Sequence, residues 1–71
     1  MSAPVYKMLE LVGTSKTSYE EAIQTAITRA SQTMSNLDWF EVKEFRGAVG
    51  ADGKVSSYQA KIAIGFRLND K

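Results

Sequence analysis

The chain has 71 residues, a formal net charge of +1, no cysteine and no histidine. This composition excludes disulfide bonds and thiol chemistry, and it removes the commonest protein ligand for metals and the commonest base at neutral pH. A chain this short buries only roughly 60% of the surface that it exposes when unfolded, so we expect a self-associating protein rather than a monomer.

Residues 1–71 are expected to form one domain, since the sequence has no linker, internal repeat or low-complexity segment. The near-neutral charge predicts no nucleic-acid or membrane partner, and no segment is apolar enough over sufficient length to span a bilayer. The segment Met1-Ser2-Ala3-Pro4 lacks the basic and apolar pattern of a signal peptide. We therefore expect a cytoplasmic protein.

The first predicted element is a strand over residues 5–12. Apolar side chains occur on both of its faces, so both faces are expected to be at least partly covered. Gly13-Thr14-Ser15 is predicted to end this strand.

A helix is predicted next. Ser18 and Glu21 have the spacing of a capping box, and Thr17 and Glu20 have the same spacing one residue earlier, so the start stays open by one position. Asn36 is predicted to stop the helix. The apolar stripe of the predicted helix recurs at steps of three and four residues. It consists of Ile23, Ala26, Ile27, Ala30, Met34 and Leu37.

Two longer strands are predicted over residues 39–49 and 55–68, joined by the turn at 50–53 with its Asp-Gly signal. In the last strand, the even-numbered side chains are predicted to face the helix and the odd-numbered ones to face away. The even set is Tyr58, Ala60, Ile62, Ile64, Phe66 and Leu68; the odd set is Gln59, Lys61, Ala63, Gly65 and Arg67.

The order strand, helix, strand, strand predicts an α+β fold. A helical crossover makes the first two strands parallel, and the long last strand is expected between them, antiparallel to both. The result is a β-α-β-β arrangement, a three-stranded sheet with one helix on one face. The other face has no cover within the chain, which makes it the expected surface for subunits and ligands.

No catalytic residue is predicted, and we expect a protein that is not an enzyme. Glu41 and Glu44 are interpreted as solvated strand charges. Residues 13–16 lack the glycine spacing of a phosphate-binding loop. No metal ligand set is expected either.

A binding site is the better-supported prediction. Trp39 and Gln59 are both expected on the face away from the helix, where an indole can stack on a planar heteroaromatic ligand and an amide can match its ring edge. Arg46 and Arg67 are suited to hold a phosphate. Strict alternation places Arg46 on the opposite face from Trp39, so a bulge near Gly47 or a second subunit is required.

A second interpretation stays open at this point. Trp39 can seal a subunit contact while Gln59 pairs with backbone, since tryptophan is also favoured at interfaces. The protein is then a small oligomeric scaffold without a ligand. A platform for single-stranded nucleic acid is disfavoured because exposed aromatic residues are few and net charge is small.

Short segments spread over almost the whole chain resemble the dodecin family, and their order and spacing together are specific. The segments are, in chain order, Val12-Gly13-Thr14-Ser15, Ala22-Ile23, Arg29-Ala30, Leu37-Asp38-Trp39-Phe40-Glu41-Val42, Arg46-Gly47, Tyr58-Gln59 and Gly65-Phe66-Arg67-Leu68. The arginines and the final segment are similar to the bacterial branch of the family.

The resemblance implies a hollow homododecamer that stores or buffers flavins and is not an enzyme. Bacterial members are associated with FMN, and some also bind coenzyme A. In the family, two flavins stack between symmetry-related tryptophans across a two-fold axis, where an excited flavin is quenched beside an indole. Trp39 matches that tryptophan and Gln59 the glutamine at the polar end of the ring system. Arg46 and Arg67 match arginines of the bacterial pattern, with phosphate or subunit contacts implied.

Overall fold

The computed structural model describes residues 3–69. Residues 1 and 2, part of the segment considered for a signal peptide, and residues 70 and 71 lie outside the described residues. The elements are strand β1 (Tyr6–Ser15), helix α1 (Tyr19–Ser31), strand β2 (Leu37–Val49) and strand β3 (Val55–Arg67).

The three strands form one sheet in the order β1-β3-β2, and β3 is antiparallel to both of its neighbours. The predicted β-α-β-β fold is therefore confirmed, including the central position of the last strand. The described residues measure 58 × 20 × 13 Å along their principal axes, because β2 and β3 form a long hairpin. No helix among residues 3–69 is long and apolar enough to cross a membrane.

The helix lies on one face of the sheet and packs through small side chains. Its stripe of Ala22, Ala26 and Ala30 is buried and forms the core with the even-numbered side chains of β3. These partners are Ala60, Ile62 and Ile64, at 0%, 0% and 1% exposure. Because alanine adds only one carbon to the helix surface, the helix backbone approaches the sheet closely. The predicted face assignment of β3 is confirmed.

The first strand does not end where the sequence predicted. Residues 13–15 continue β1, and they pair with residues 58–60 of β3. Gly13 serves close packing instead of a turn, since a Cβ at this position would run into the carbonyl oxygen of Ala22 and lie 3.0 Å from Cβ of Ala26. A glycine within a strand often marks such an approach of another backbone.

The helix begins where the capping-box spacing predicts, with Ser18 as the N-cap. The Ser18 hydroxyl accepts a hydrogen bond from the backbone N–H of Glu21 at 3.0 Å. The Glu21 carboxylate does not turn back to the Ser18 backbone; it accepts from the hydroxyls of Ser15 and Thr17. The bonds from Ser15 first, and then from Thr17, lower the pKa of Glu21. This network ties the end of β1 to the first turn of α1.

The predicted end of the helix was wrong. Helix α1 stops at Ser31, and Leu37 belongs to β2. Asn36 has φ of 64°, in the left-handed region that asparagine tolerates better than most residues, and its amide donates to the carbonyl of Arg67 at 3.2 Å. Asn36 therefore directs the chain into β2 instead of ending the helix.

The turn between β2 and β3 is confirmed at residues 50–53. The N–H of Gly50 donates to the carbonyl of Lys54 at 2.8 Å. Gly53 has φ of 80°, which only glycine adopts without strain. The β3 strand ends at Arg67, one residue before the predicted end.

Candidate functional site: the face of the sheet away from the helix

A β-bulge in β2 determines which side chains share the face away from the helix. Val42 pairs with Ile62, while Glu44 pairs with Lys61, so Lys43 has no partner on β3. The extra residue reverses the alternation beyond it. Arg46 then lies opposite Gln59, on the same face as Trp39. A bulge was one of the two predicted ways to bring Arg46 to this face, and it is confirmed, but it lies at Lys43, before Arg46. The register shift between Ala48 and Val49, near Gly47, comes after Arg46.

Arg46 and Gln59 are in direct contact across the two strands. Arg46 Nε donates to Gln59 Oε1 at 3.2 Å, and Arg46 Nη1 donates to Glu44 Oε1 at 3.0 Å. Since a guanidinium is only a donor, it fixes which end of the Gln59 amide faces it. The amide nitrogen is left to donate elsewhere. Arg46 is about half exposed, so its ion pair with Glu44 adds little stability. The main effect of Arg46 is to orient the Gln59 amide through their hydrogen bond.

Trp39 lies flat over β3, the central strand, near the end of that strand. It pairs with Gly65 of β3, and a Cβ placed on Gly65 would lie 2.7 Å from Cη2 of the indole and closer still to Cζ2 and Cε2. Three consecutive ring carbons can all lie this close to the added Cβ, with Cε2 nearest, only if the Cβ is above the face of the ring and not beyond its edge. One face of the indole therefore covers Gly65. The other face points away from the sheet, and Trp39 is 40% exposed.

Tyr6 borders the indole on the side of β1. The two ring centroids are 4.8 Å apart and the ring planes meet at 57°, a favourable tilted arrangement. Tyr6 itself pairs with Arg67, which places Arg67 on the same face as Trp39. Tyr6 was not among the predicted site residues, although the alternation of the first strand already groups it with Met8 on one face.

The four predicted site residues thus share one face but form two separate pairs. Trp39 and Arg67 lie at one end, and Gln59 and Arg46 at the other. Residues 59 and 65 are six apart on β3, which corresponds to roughly 20 Å at the rise of a strand. Charged side chains lie between the pairs, including Lys61, whose Nζ is 3.6 Å from Glu10 Oε1. The two pairs of one subunit are therefore too far apart to contact the same ring system.

Within residues 3–69 of a single copy, the depression beside Trp39 is small for a ligand pocket. The apolar depression of about 110 Å³ beside Trp39 is bordered by Ile27, Leu37, Phe40 and Ile64 as well, most of which belong to the helix side. Ligand pockets usually measure about 300–1,000 Å³. The described residues also contain no group of three or more histidine, cysteine, aspartate or glutamate side chains arranged to hold a metal ion.

Comparison with known proteins gives consistent matches. The family model described as Dodecin matches residues 5–69. A dodecin from Thermus thermophilus is 54% identical over 66 residues, which cover 93% of this chain and 94% of the relative. A calcium dodecin from Mycobacterium tuberculosis is 34% identical over 64 residues, 90% of this chain and 89% of the relative.

The fold comparison agrees with these matches. The structure of dodecin from Streptomyces coelicolor superposes with a TM-score of 0.92 at 45% identity, covering 100% of both chains. None of these names denotes an enzyme. The resemblance noted in the sequence is thereby confirmed, and the chain belongs to the dodecin family.

Proposed function

We propose that this dodecin binds a flavin, FMN, without catalysing a reaction on it, and that it stores and buffers the flavin in a hollow homododecamer. The observation that carries the proposal is the orientation of Trp39. Its indole has one face on Gly65 and the other pointing out from a half-exposed position. A flat aromatic surface that faces outward is suited to stacking a fused-ring ligand.

Assembly is part of this proposal because the two pairs of site residues are separated. A site that uses both Trp39 and Gln59 needs them from different subunits, since they lie roughly 20 Å apart in one chain. Large apolar side chains are also exposed in the single chain, among them Phe40 at 45% and Phe45 at 58%. Exposed apolar surface of this kind favours association with further copies.

Each polar residue has a separate role in the proposed site. Gln59, held by Arg46, offers its amide N–H groups to a carbonyl at the edge of the isoalloxazine ring. Arg67 is two residues along β3 from Gly65, the partner of Trp39, and it lies on the same face. Its guanidinium can bind the FMN phosphate through charge-assisted hydrogen bonds. Stacking between indoles places the flavin where its excited state is quenched, which limits photochemical damage.

Flavin fluorescence tests the proposal directly. Titration of protein into FMN is expected to quench the emission, and Trp39→Ala is expected to abolish most of the quenching while light scattering still reports a large assembly. Unchanged FMN emission at saturating wild-type protein would contradict the proposal. A Trp39→Ala variant that loses the assembly itself would favour the scaffold interpretation, in which the indole only seals a subunit contact.

Ligand comparison and subunit mixing test the individual roles. Arg67→Ala should weaken FMN roughly tenfold, the loss of about 1.4 kcal/mol, and leave riboflavin unaffected because riboflavin has no phosphate. Trp39→Ala and Gln59→Ala subunits, refolded together, should recover part of the quenching that each lacks alone. No recovery would mean that both residues act from one subunit. Coenzyme A is added as a competitor, because the family resemblance also implies this ligand.

A further inference from the structure

Gly65 occupies an unusual place for a glycine. It is a buried residue in β3, the central strand of the sheet, where glycine weakens a strand and contributes no side chain to packing. Its backbone does not require glycine, since Gly53 has the only positive φ among the glycines of residues 3–69. An alanine at 65 is therefore compatible with the backbone. What excludes a side chain is the indole of Trp39, which occupies the space of the missing Cβ.

We propose that Gly65 is a positioning residue that sets the height of Trp39 above the sheet, and with it the width of the ligand slot. This inference rests on the proposed flavin function. Non-bonded carbons normally approach to about 3.5–4.0 Å, whereas a Cβ at 65 would lie 2.7 Å from Cη2 and nearer to two further ring carbons. The indole has to rise by about 1 Å to restore normal contact.

Movement of the indole toward β1 or into the sheet is limited. Tyr6 lies on the β1 side with its ring centroid 4.8 Å from that of Trp39, so a sideways shift toward β1 is blocked. The sheet lies below. The indole therefore moves outward, into the space where a stacked ring would bind.

Rings stacked between two indoles tolerate little change in the distance between those indoles. Two indoles related by a two-fold axis, each raised by about 1 Å, narrow the slot between them by about 2 Å, more than half of the contact distance between stacked carbons. We expect Gly65→Ala to weaken FMN binding at least tenfold without adding or removing any polar contact to the ligand.

The test uses the intact assembled protein. Trp39 is the only tryptophan, so its emission and its quenching by acrylamide report the position of one side chain without any ligand. Gly65→Ala is expected to raise acrylamide quenching and to weaken FMN binding, with the assembly unchanged in light scattering. The matched control is a double-mutant cycle that combines Gly65→Ala with Trp39→Phe. Phenylalanine lacks Cζ2 and Cη2 of the indole, so Gly65→Ala should cost little further FMN affinity in that background.

The outcomes separate the two proposals. Unchanged indole quenching and unchanged FMN affinity in Gly65→Ala would overturn the role of Gly65 while leaving flavin binding intact. A wild type that leaves FMN emission unaffected would end the flavin proposal, and the indole measurements would still judge whether Gly65 sets the position of Trp39. Should Gly65→Ala fail to assemble, recovery of assembly in the double variant supports the contact, and failure to recover overturns it.

Discussion

Replacement of Gly13 by alanine gives a test that is decided by the sign of the change in the free energy of unfolding. Glycine within a strand is normally destabilising relative to alanine by roughly 0.5–1 kcal/mol, so a strand considered alone predicts that Gly13→Ala stabilises the protein. The structure predicts the opposite. The new Cβ would meet the carbonyl oxygen of Ala22, lie 2.9 Å from its carbonyl carbon and 3.0 Å from Cβ of Ala26.

The magnitude follows from what the new methyl group meets. Extra carbon in a well-packed core costs about 1–3 kcal/mol. The nearest atoms here belong to the backbone of Ala22, which cannot change rotamer, so we expect about 2–3 kcal/mol, the upper part of that range. The helix has to shift away from β1 by a fraction of its packing distance. For a chain of this size, each 1 kcal/mol lowers Tm by roughly 4–8 °C.

Urea denaturation followed by circular dichroism measures this loss. One fixed protein concentration is used, because the proposed self-association would make the apparent stability depend on concentration. Thr14→Ala is the control, since Thr14 is the next residue, is exposed, and lies on the other face of β1. Its effect should stay within about 0.5 kcal/mol. A Gly13→Ala protein as stable as the wild type, or more stable, would refute the close-packing argument.

Three further predictions concern the core, the helix start and the turn. Ile62→Ala, at a position with 0% exposure, should lower the free energy of unfolding by about 2–5 kcal/mol in urea; a smaller loss would contradict the assigned core. Glu21→Gln should destabilise the protein at neutral pH. The folded pKa of Glu21 lies below its ordinary value of 4.5, so the wild-type advantage is complete above pH 4.5 and is lost as pH falls through the lowered pKa. A urea midpoint difference that does not shrink on acidification would disprove this. Gly53→Ala should destabilise by about 1 kcal/mol because φ is 80°, and an unchanged urea midpoint would refute the assigned strain.

The topology of this protein is largely predictable from its sequence. A helix between two strands makes them parallel, and a tight Asp-Gly turn makes the last two strands antiparallel. The long alternation of β3 then leaves it only the central position. Because Ile62 and Ile64 alternate with Lys61 and Ala63 without interruption, the face toward the helix is also determined by the sequence.

A bulge in β2 was predicted as one alternative, but near Gly47 and not at Lys43, although the sequence contains a signal for the observed position. Val42 and Phe45 both lie on the helix side of β2, yet they are three residues apart, and regular alternation allows only even separations. An odd spacing between apolar residues on one face indicates an inserted residue. The position of the bulge became clear only once the register with β3 was known, since Lys43 itself resembles any exposed strand residue.

Gly13 and Gly65 show a second limit of reasoning from sequence. A glycine in a strand has the same letter whether it forms a turn, adopts positive φ or accommodates a neighbour, and only the tertiary structure distinguishes these cases. Gly13 accommodates the helix on one face, and Gly65 accommodates Trp39 on the other. Neither partner is close in sequence, so local patterns did not reveal either contact.

If the proposed function holds, the separation of the two residue pairs connects ligand binding to assembly. A flavin that contacts Trp39 of one subunit and Gln59 of another binds only the associated state, so by mass action it stabilises the assembly, and dilution that dissociates subunits releases the ligand. A store built in this way needs no catalytic base and no metal. It needs an aromatic surface at a fixed height and an amide in a fixed orientation, which are the roles proposed for Gly65 beneath the indole and for Arg46 beside Gln59.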